Sequence, residues 1–272
     1  MTRSLLNTIL LMAALAGINT TAGAQIQDQP SHQAQYLDYE VGIYPNPDTG
    51  TDGILRIFQS GNTVFTETGN AYSLEGEIDF PKIGDDITGD EVPDLVVSHW
   101  SGGAHCCYDV LIFSIGEAFR LIQRIEGGHG SVHFKDLDKD GIPELVVFDW
   151  NFAYWNASFA SSPAPQVILR YQDGKYVVDR ELMKKPLESI KSPVADEEFR
   201  KSECDAGNAW KKDGYCLSSD VWGHMLDLIY AGHAEAAWRY LDEVWKADEA
   251  TKASFVSDFK HQLALSAYIH GE

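Results

Sequence analysis

Two nine-residue stretches lie fifty positions apart and follow one template, residues 86–94 and residues 136–144. The first carries Asp86, Thr88, Asp90 and Asp94 at positions 1, 3, 5 and 9; the second carries Asp136, Asp138, Asp140 and Glu144. Proline occupies position 8 in both, as Pro93 and Pro143, and each stretch runs into a Leu-Val-Val segment. A unit that repeats at this spacing constrains architecture more than any single motif, because each copy must bury its apolar face against a neighbour.

The segments around the template read as short strands and turns. Residues 53–58 and 63–67 are rich in β-branched and aromatic side chains and flank a turn at Ser60, Gly61 and Asn62. Residues 108–113 open a similar unit, and residues 165–171 open a third that turns at Asp173 and Gly174 and ends at Val178. Two full copies and the opening hairpin of a third are visible. About four strands per fifty residues matches one blade of a β-propeller, but closed propellers need roughly 4–8 blades. The expectation is therefore an antiparallel, blade-like β-repeat domain, built as a partial propeller or as open sheets.

After residue 183 the pattern changes. Lys184, Lys185 and Pro186 read as linker, and apolar residues then recur at helical spacing. Val221, Met225, Leu228 and Ile229 share a face after a cap at Ser219, and Gly232 ends that helix. A second helix carries Ala234, Ala237, Trp238, Leu241 and Trp245, and a third runs over residues 249–267. The fold class expected is α+β. Residues 1–24 form a signal peptide, 25–50 a polar lead-in, 51–183 the β-repeat domain, and 184–272 a linker and a small helical domain.

Alternating oxygens on a tight loop suit a hard cation, calcium above all. In the second stretch Asp136, Asp138 and Asp140 can turn toward one point, Gly141 permits the sharp bend that brings in the Ile142 carbonyl, and Glu144 completes the shell. Carboxylates packed this closely repel unless a cation neutralises them. An EF-hand is excluded, since position 12 is Val147 in a strand rather than a bidentate Glu before a helix. Magnesium holds its waters and demands stricter geometry. The first stretch departs from the pattern: Thr88 replaces a carboxylate and Glu91 stands where glycine is expected. Weaker binding or none is expected there, with Glu91 forcing another route round the turn.

The pattern D-x-[DNT]-x-D-x-x-P-[DE]-L-V-V resembles the FG-GAP/VCBS repeats of secreted bacterial proteins and integrin α-subunit propellers. The resemblance covers about residues 50–180. It implies calcium held between two strands of a blade, by Asp136, Asp138, Asp140, the Ile142 carbonyl and Glu144, and by Asp86, Thr88, Asp90 and Asp94 in the first copy.

Composition adds limits. The formal net charge is −20, and the leader's only charged side chain is Arg3, so the mature chain is one unit more acidic. Such a surface argues against nucleic acid and anionic membranes. Arg3, the apolar run from Leu5 to Ile18 and the small residues Ala22, Gly23 and Ala24 read as a secretion signal, too short to span a bilayer. Export places the protein in the periplasm or outside the cell, where cysteines oxidise. Cys204 and Cys216 are expected to pair, leaving Cys106 and Cys107 for a vicinal disulfide; crossed pairings remain open.

The residues that remain offer two further readings. His99, His105, Cys106 and Cys107, with His129 and His133, form a constellation that could hold a soft metal or serve an exported hydrolase or redox enzyme, and Ser131 lies between two of these histidines. Trp150, Phe152, Tyr154 and Trp155 are either sheet core or a sugar- or peptide-binding face. No phosphate loop or dinucleotide fingerprint is present. The sequence thus points to an exported, non-catalytic recognition or scaffold module for a protein or glycan, with the loops around Gly102 and Trp150 as its surface.

Overall fold

The structure is a computed structural model that describes residues 29–76, 79–104, 106–191 and 197–269. The expected signal peptide and His105 lie outside the described residues. Three four-stranded antiparallel sheets follow one another along the chain. The first comprises β1 (His32–Tyr36), β2 (Tyr39–Tyr44), β3 (Ile54–Gln59) and β4 (Asn62–Thr68), in that order. The second comprises β5 (Ala71–Ser73), β6 (Asp94–Trp100), β7 (Tyr108–Ile115) and β8 (Phe119–Gly128). The third comprises β9 (His133–Lys135), β10 (Glu144–Phe148), β11 (Gln166–Gln172) and β12 (Lys175–Val178). In each sheet, neighbours in sequence are neighbours in space, so all three are simple meanders, and no ring closes among the described residues.

The sheets stack. Leu95 and Val97 of β6, with Leu111 and Phe113 of β7, share one apolar cluster with Val41, Ile43, Leu55 and Ile57 of the first sheet. Val96, Val110 and Ile112, on the opposite face, share the other cluster with Leu145, Val147, Val167 and Leu169 of the third sheet. A strand covered on both faces has no solvent side, so its apolar run is unbroken. That is the physical reason for the Leu-Val-Val segments after both acidic stretches.

Turn chemistry sets the registers. Gln172 pairs with Lys175 across Asp173 and Gly174, whose φ values are +51° and +88°. Two successive left-handed residues make the turn whose twist matches that of the flanking strands. The expected turn at Ser60 and Gly61 is of the same kind.

Two boundaries differ from expectation. The polar lead-in holds β1 and β2; β1 pairs with β2 and β2 with β3, which completes the first sheet. The hairpin at residues 165–178 closes the third sheet rather than opening another. Each acidic stretch lies inside a sheet, between its first and second strands, and not between sheets.

The chain then forms α1 (Arg180–Met183), α2 (Glu197–Ala206), a hairpin of β13 (Ala209–Lys212) and β14 (Tyr215–Ser218), and α3 (Ser219–Tyr230), α4 (Ala234–Val244) and α5 (Glu249–Leu263). The cap of α3 falls on Ser218, one residue before the expected Ser219. The helical region shares the core of the third sheet. Phe152 packs on Phe259 and Trp155 on Trp222, both at 5.3 Å between ring centres. Asp149, buried at the end of β10, accepts hydrogen bonds from Tyr230 and Ser266 and ties that sheet to α3 and the C-terminal residues. No helix among the described residues is long and apolar enough to cross a membrane.

Cys204 pairs with Cys216, and Cys106 with Cys107. The first bridge fastens α2 to β14 across a separation of 12 residues. A loop of this length restrains the unfolded chain by roughly 3 kcal/mol. The double variant Cys204→Ser/Cys216→Ser should lose about 2–3 kcal/mol in denaturant unfolding, and unchanged stability would show that the bridge restrains nothing.

Candidate functional site

The two acidic loops have the same backbone course. Positions 4 and 6 are left-handed in both: Gly89 (φ +73°) and Glu91 (+62°) in the first, Lys139 (+68°) and Gly141 (+93°) in the second. The glycine has exchanged places between copies, and each loop holds one L-residue in a conformation that costs about 1–2 kcal/mol. Glu91 therefore takes the same turn as Gly141, where another route was expected.

Three hydrogen bonds recur. The position-1 carboxylate accepts from the position-6 amide, Glu91 to Asp86 at 2.9 Å and Gly141 to Asp136 at 3.1 Å. The position-5 carboxylate accepts from the position-7 amide, Val92 to Asp90 at 3.0 Å and Ile142 to Asp140 at 2.8 Å. The position-9 carboxylate accepts from the position-2 amide, Ile87 to Asp94 at 3.0 Å and Leu137 to Glu144 at 2.9 Å. Asp94 and Glu144 are the first residues of β6 and β10 and are only 1% and 2% exposed. Each loop is thus wound around carboxylates that also satisfy its amides.

The loops touch. The side chain of Ile142 occupies the space beside Gly89. The Tyr176 hydroxyl donates to the Ile87 carbonyl at 3.2 Å, joining the third sheet to the first loop. A cleft of about 570 Å³ opens between them, with Asp86 and Asp136 on its two sides and Phe80, Lys82, Phe134 and Lys135 around it.

The loops differ in how their charge is met. In the second, Asp136, Asp138 and Glu144 bring carboxylate oxygens within 4.8 Å of one another, the one such group of three among the described residues. Asp140 is outside that group. Arg170 of β11 stands among these acids: it pairs with Asp138, reaches Glu144 at 3.1 Å, and its Nε lies 3.0 Å from Asp179, the cap of α1. Burial pulls the Arg170 pKa down, but the hydrogen bond to Asp138 and the three carboxylate charges more than offset it and hold the pKa above its ordinary value.

Among the described residues no such partner meets the first loop. Leu145 pairs with Leu169, so the next pair outward sets Glu144 opposite Arg170. Asp94 stands instead opposite Ser114. Its Oδ2 accepts from the Ile87 amide, and the Thr88 hydroxyl lies 3.1 Å away; its Oδ1 is buried with no hydrogen-bond partner. Burial raises the Asp94 pKa to about 6, against the pull of the hydrogen bonds from Ile87 and Thr88 and with help from the charges of Asp90 and Asp86.

Among the described residues the histidine and cysteine constellation is dispersed. His99 is bonded to Asp109 at 2.7 Å, and Asp109 also pairs with Arg124, which reaches Glu67 of β4. That chain of charges links the first two sheets. Burial pushes the Asp109 pKa up, but His99 and Arg124 together pull it below the ordinary value. His129 packs on Trp150 (5.2 Å) and Phe159 (5.0 Å), and His133 on Phe148 (6.5 Å). All four cysteines are in disulfides, so no thiol is available. The aromatic cluster divides: Phe152 and Trp155 enter the helical core, while Trp150 stacks on Phe159 and Tyr154 is 54% exposed.

Sequence reasoning missed Arg170 and Asp179. Arg170 interrupts the apolar run Val167-Ile168-Leu169 in a strand covered on both faces, and that interruption is the signal that could have found it.

No family model and no solved structure matches the chain. The uncharacterized protein y4bJ of Sinorhizobium fredii is similar, 28% identical over 149 residues, which is 54% of this chain and 22% of that protein. The probable thylakoid lumen protein sll0997 of Synechocystis sp. is 33% identical over 90 residues, 31% of this chain and 26% of that protein. The chain spans about a quarter or less of the length of these relatives.

Two outcomes follow from the loop geometry. A Cβ at Gly141 would meet nothing within 4 Å, so Gly141→Ala tests backbone strain alone; a loss of about 1–2 kcal/mol is expected in chemical denaturation. The second concerns pH. The folded Asp94 pKa of about 6 lies above the ordinary 3.8, so protonation favours folding. With divalent cations chelated, its contribution is most favourable below about pH 4, falls as pH rises toward 6 and is level above, a span of about 3 kcal/mol at ~1.4 kcal/mol per unit. Asp94→Asn should flatten that window when stability is measured across pH 4–7.

Proposed function

We propose that this is an extracytoplasmic, non-catalytic β-repeat protein of the FG-GAP/VCBS kind, whose acidic loops use calcium as a structural cation. The observation that carries this reading is the pair of loops with one hydrogen-bond pattern, set at the same place in adjacent sheets and in contact with each other. On this reading the three meanders are successive blades of a partial propeller, and the helices cover the face of the last.

The donor chemistry fits a hard cation. Asp94 Oδ1 is a buried anionic oxygen with no partner, on a carboxylate that contacts Thr88 and lies near the charges of Asp86 and Asp90. Such an atom is costly unless a positive charge meets it. Bound there, calcium would supply that charge and cross-link loop to strand. Asp86, Thr88, Asp90 and Asp94 would hold it in the first copy. Asp136, Asp138, Asp140, the Ile142 carbonyl and Glu144 are the corresponding groups in the second.

Several observations support export. The N-terminal segment has the charge and hydropathy of a secretion signal. Both cysteine pairs form disulfides, which persist in oxidising compartments. One relative is named as a probable thylakoid lumen protein. The periplasm or the cell exterior fits all three.

Recognition of a protein or glycan would fall to the ends of the sheets away from the loops. There Trp100 stacks on Tyr108 at 6.4 Å, beside the Cys106–Cys107 bridge, and Trp150 lies against Gly128. Tyr108 is exposed and Trp100 and Trp150 are half-buried, and partly open aromatic faces of this kind suit sugar rings and apolar side chains.

Thermal melting of the mature protein tests the cation. Calcium at about 100 times its dissociation constant adds about 2.7 kcal/mol, a rise of roughly 5–10 °C for a chain of this size. Magnesium should give much less, and chelator should reverse the rise. A melting temperature indifferent to calcium would overturn the reading.

A further inference from the structure

The two loops have one backbone course, three internal hydrogen bonds in common and two different answers to their negative charge. We propose that Arg170 takes the place of the ion in the second loop, so that the chain holds a single calcium ion, in the first. This inference rests on the calcium reading above and reverses the ranking that the two sequences suggest.

The geometry carries it in three steps. First, the convergence of Asp138 and Glu144 in the second loop is organised by a cation already present. The guanidinium pairs with Asp138, lies 3.1 Å from Glu144 Oε1 and is anchored on its other side by Asp179 at 3.0 Å. Arginine remains charged at any physiological pH and offers several donors in a fixed fork, so it can serve three carboxylates at once. An incoming dication would have to displace it or share oxygens with it, against like-charge repulsion.

Second, Arg170 is placed there by the fold. Glu144 and Arg170 are cross-strand neighbours by the register of β10 and β11, and Asp179 begins the helix after β12. The Arg170 backbone is therefore held beside Glu144 for as long as the sheet is formed.

Third, the first loop has the opposite character. At the position equivalent to Arg170 stands Ser114. Among the described residues no lysine or arginine pairs with Asp86, Asp90 or Asp94. Asp94, 1% exposed, keeps one carboxylate oxygen without a partner. That oxygen is the independent sign of an absent cation, and no counterpart occurs on Glu144, whose two oxygens meet Leu137 and Arg170. In the first loop the corresponding side chains also meet, the Thr88 hydroxyl lying 3.3 Å from Asp86 and 3.1 Å from Asp94, with no basic side chain of the described residues paired to either acid. In the second, Arg170 stands among the acids, paired with Asp138 and 3.1 Å from Glu144.

Isothermal titration calorimetry with calcium chloride on the chelator-treated mature protein decides the matter. The parent should bind one ion. Asp94→Asn should bind none; if that buried change prevents folding, the exposed Asp90→Asn should weaken binding at least tenfold. Arg170→Gln, at a partly exposed position, should bind two ions, the second more weakly, and Asp138→Asn in that background should return the count to one. Two ions in the parent, or one ion in Arg170→Gln that is still lost with Asp90→Asn, would overturn the role of Arg170 and leave the calcium reading standing. No binding to the parent, to Arg170→Gln or to any other variant at millimolar calcium would overturn the calcium reading itself.

Discussion

A carboxylate buried at the foot of a strand governs this molecule. Asp94 and Glu144 begin β6 and β10, nearly sealed from water, and each reaches back to an amide at the start of its own loop. Burying a charge is expensive unless hydrogen bonds and an opposite charge meet it. The amides supply part of that need in both copies. In the second copy Arg170 meets the rest, whereas Asp94 keeps one buried oxygen without a hydrogen-bond partner. The loop closes over the strand end, the proline at position 8 leads into the sheet, and the Leu-Val-Val run that follows is locked between layers.

The layers are joined by polar ties as well as apolar cores. Glu67, Arg124, Asp109 and His99 connect the first sheet to the second. Tyr176 connects the third sheet to the first loop. Asp149, Tyr230 and Ser266 connect the third sheet to the helices. Each tie crosses between elements far apart in sequence, so the stack is fixed in rotation as well as in distance. The two disulfides act locally by comparison, one within the loop after β6 and one between α2 and β14.

Much of this was legible in the sequence. The template spacing announced a repeat, the β-branched runs announced strands, and the spacing of Val221, Met225 and Leu228 announced a helix that the structure contains. Cys204 and Cys216 were the expected pair, and the crossed pairings that the sequence left open are not formed. What stayed hidden depended on register. Strand β1 is polar because it lies at a sheet edge, so composition alone assigned it to a lead-in. The phase of the sheets was obscured because an acidic loop interrupts each one between its first two strands. Glu91 looked like a misfit because glycine was expected at position 6, whereas Gly89 had moved to position 4 and left the course of the chain unaltered. Arg170, twenty-six residues beyond Glu144, becomes its neighbour only when β11 returns along β10. Of the four clustered rings, Phe152 and Trp155 turned inward because a helical layer covers the third sheet there, a fact that strand alternation could not reveal.

The contact between Ile142 and Gly89 has an electrostatic corollary. Loops on neighbouring stacked sheets stand about one sheet spacing apart, roughly 10 Å. Two dications at that separation repel by about 2–7 kcal/mol, depending on how well water screens them. Double occupancy would therefore be anticooperative, with the second ion paying for the presence of the first. A monovalent guanidinium in one bend halves that repulsion, and its position is set by the strand rather than by the calcium concentration of the surroundings.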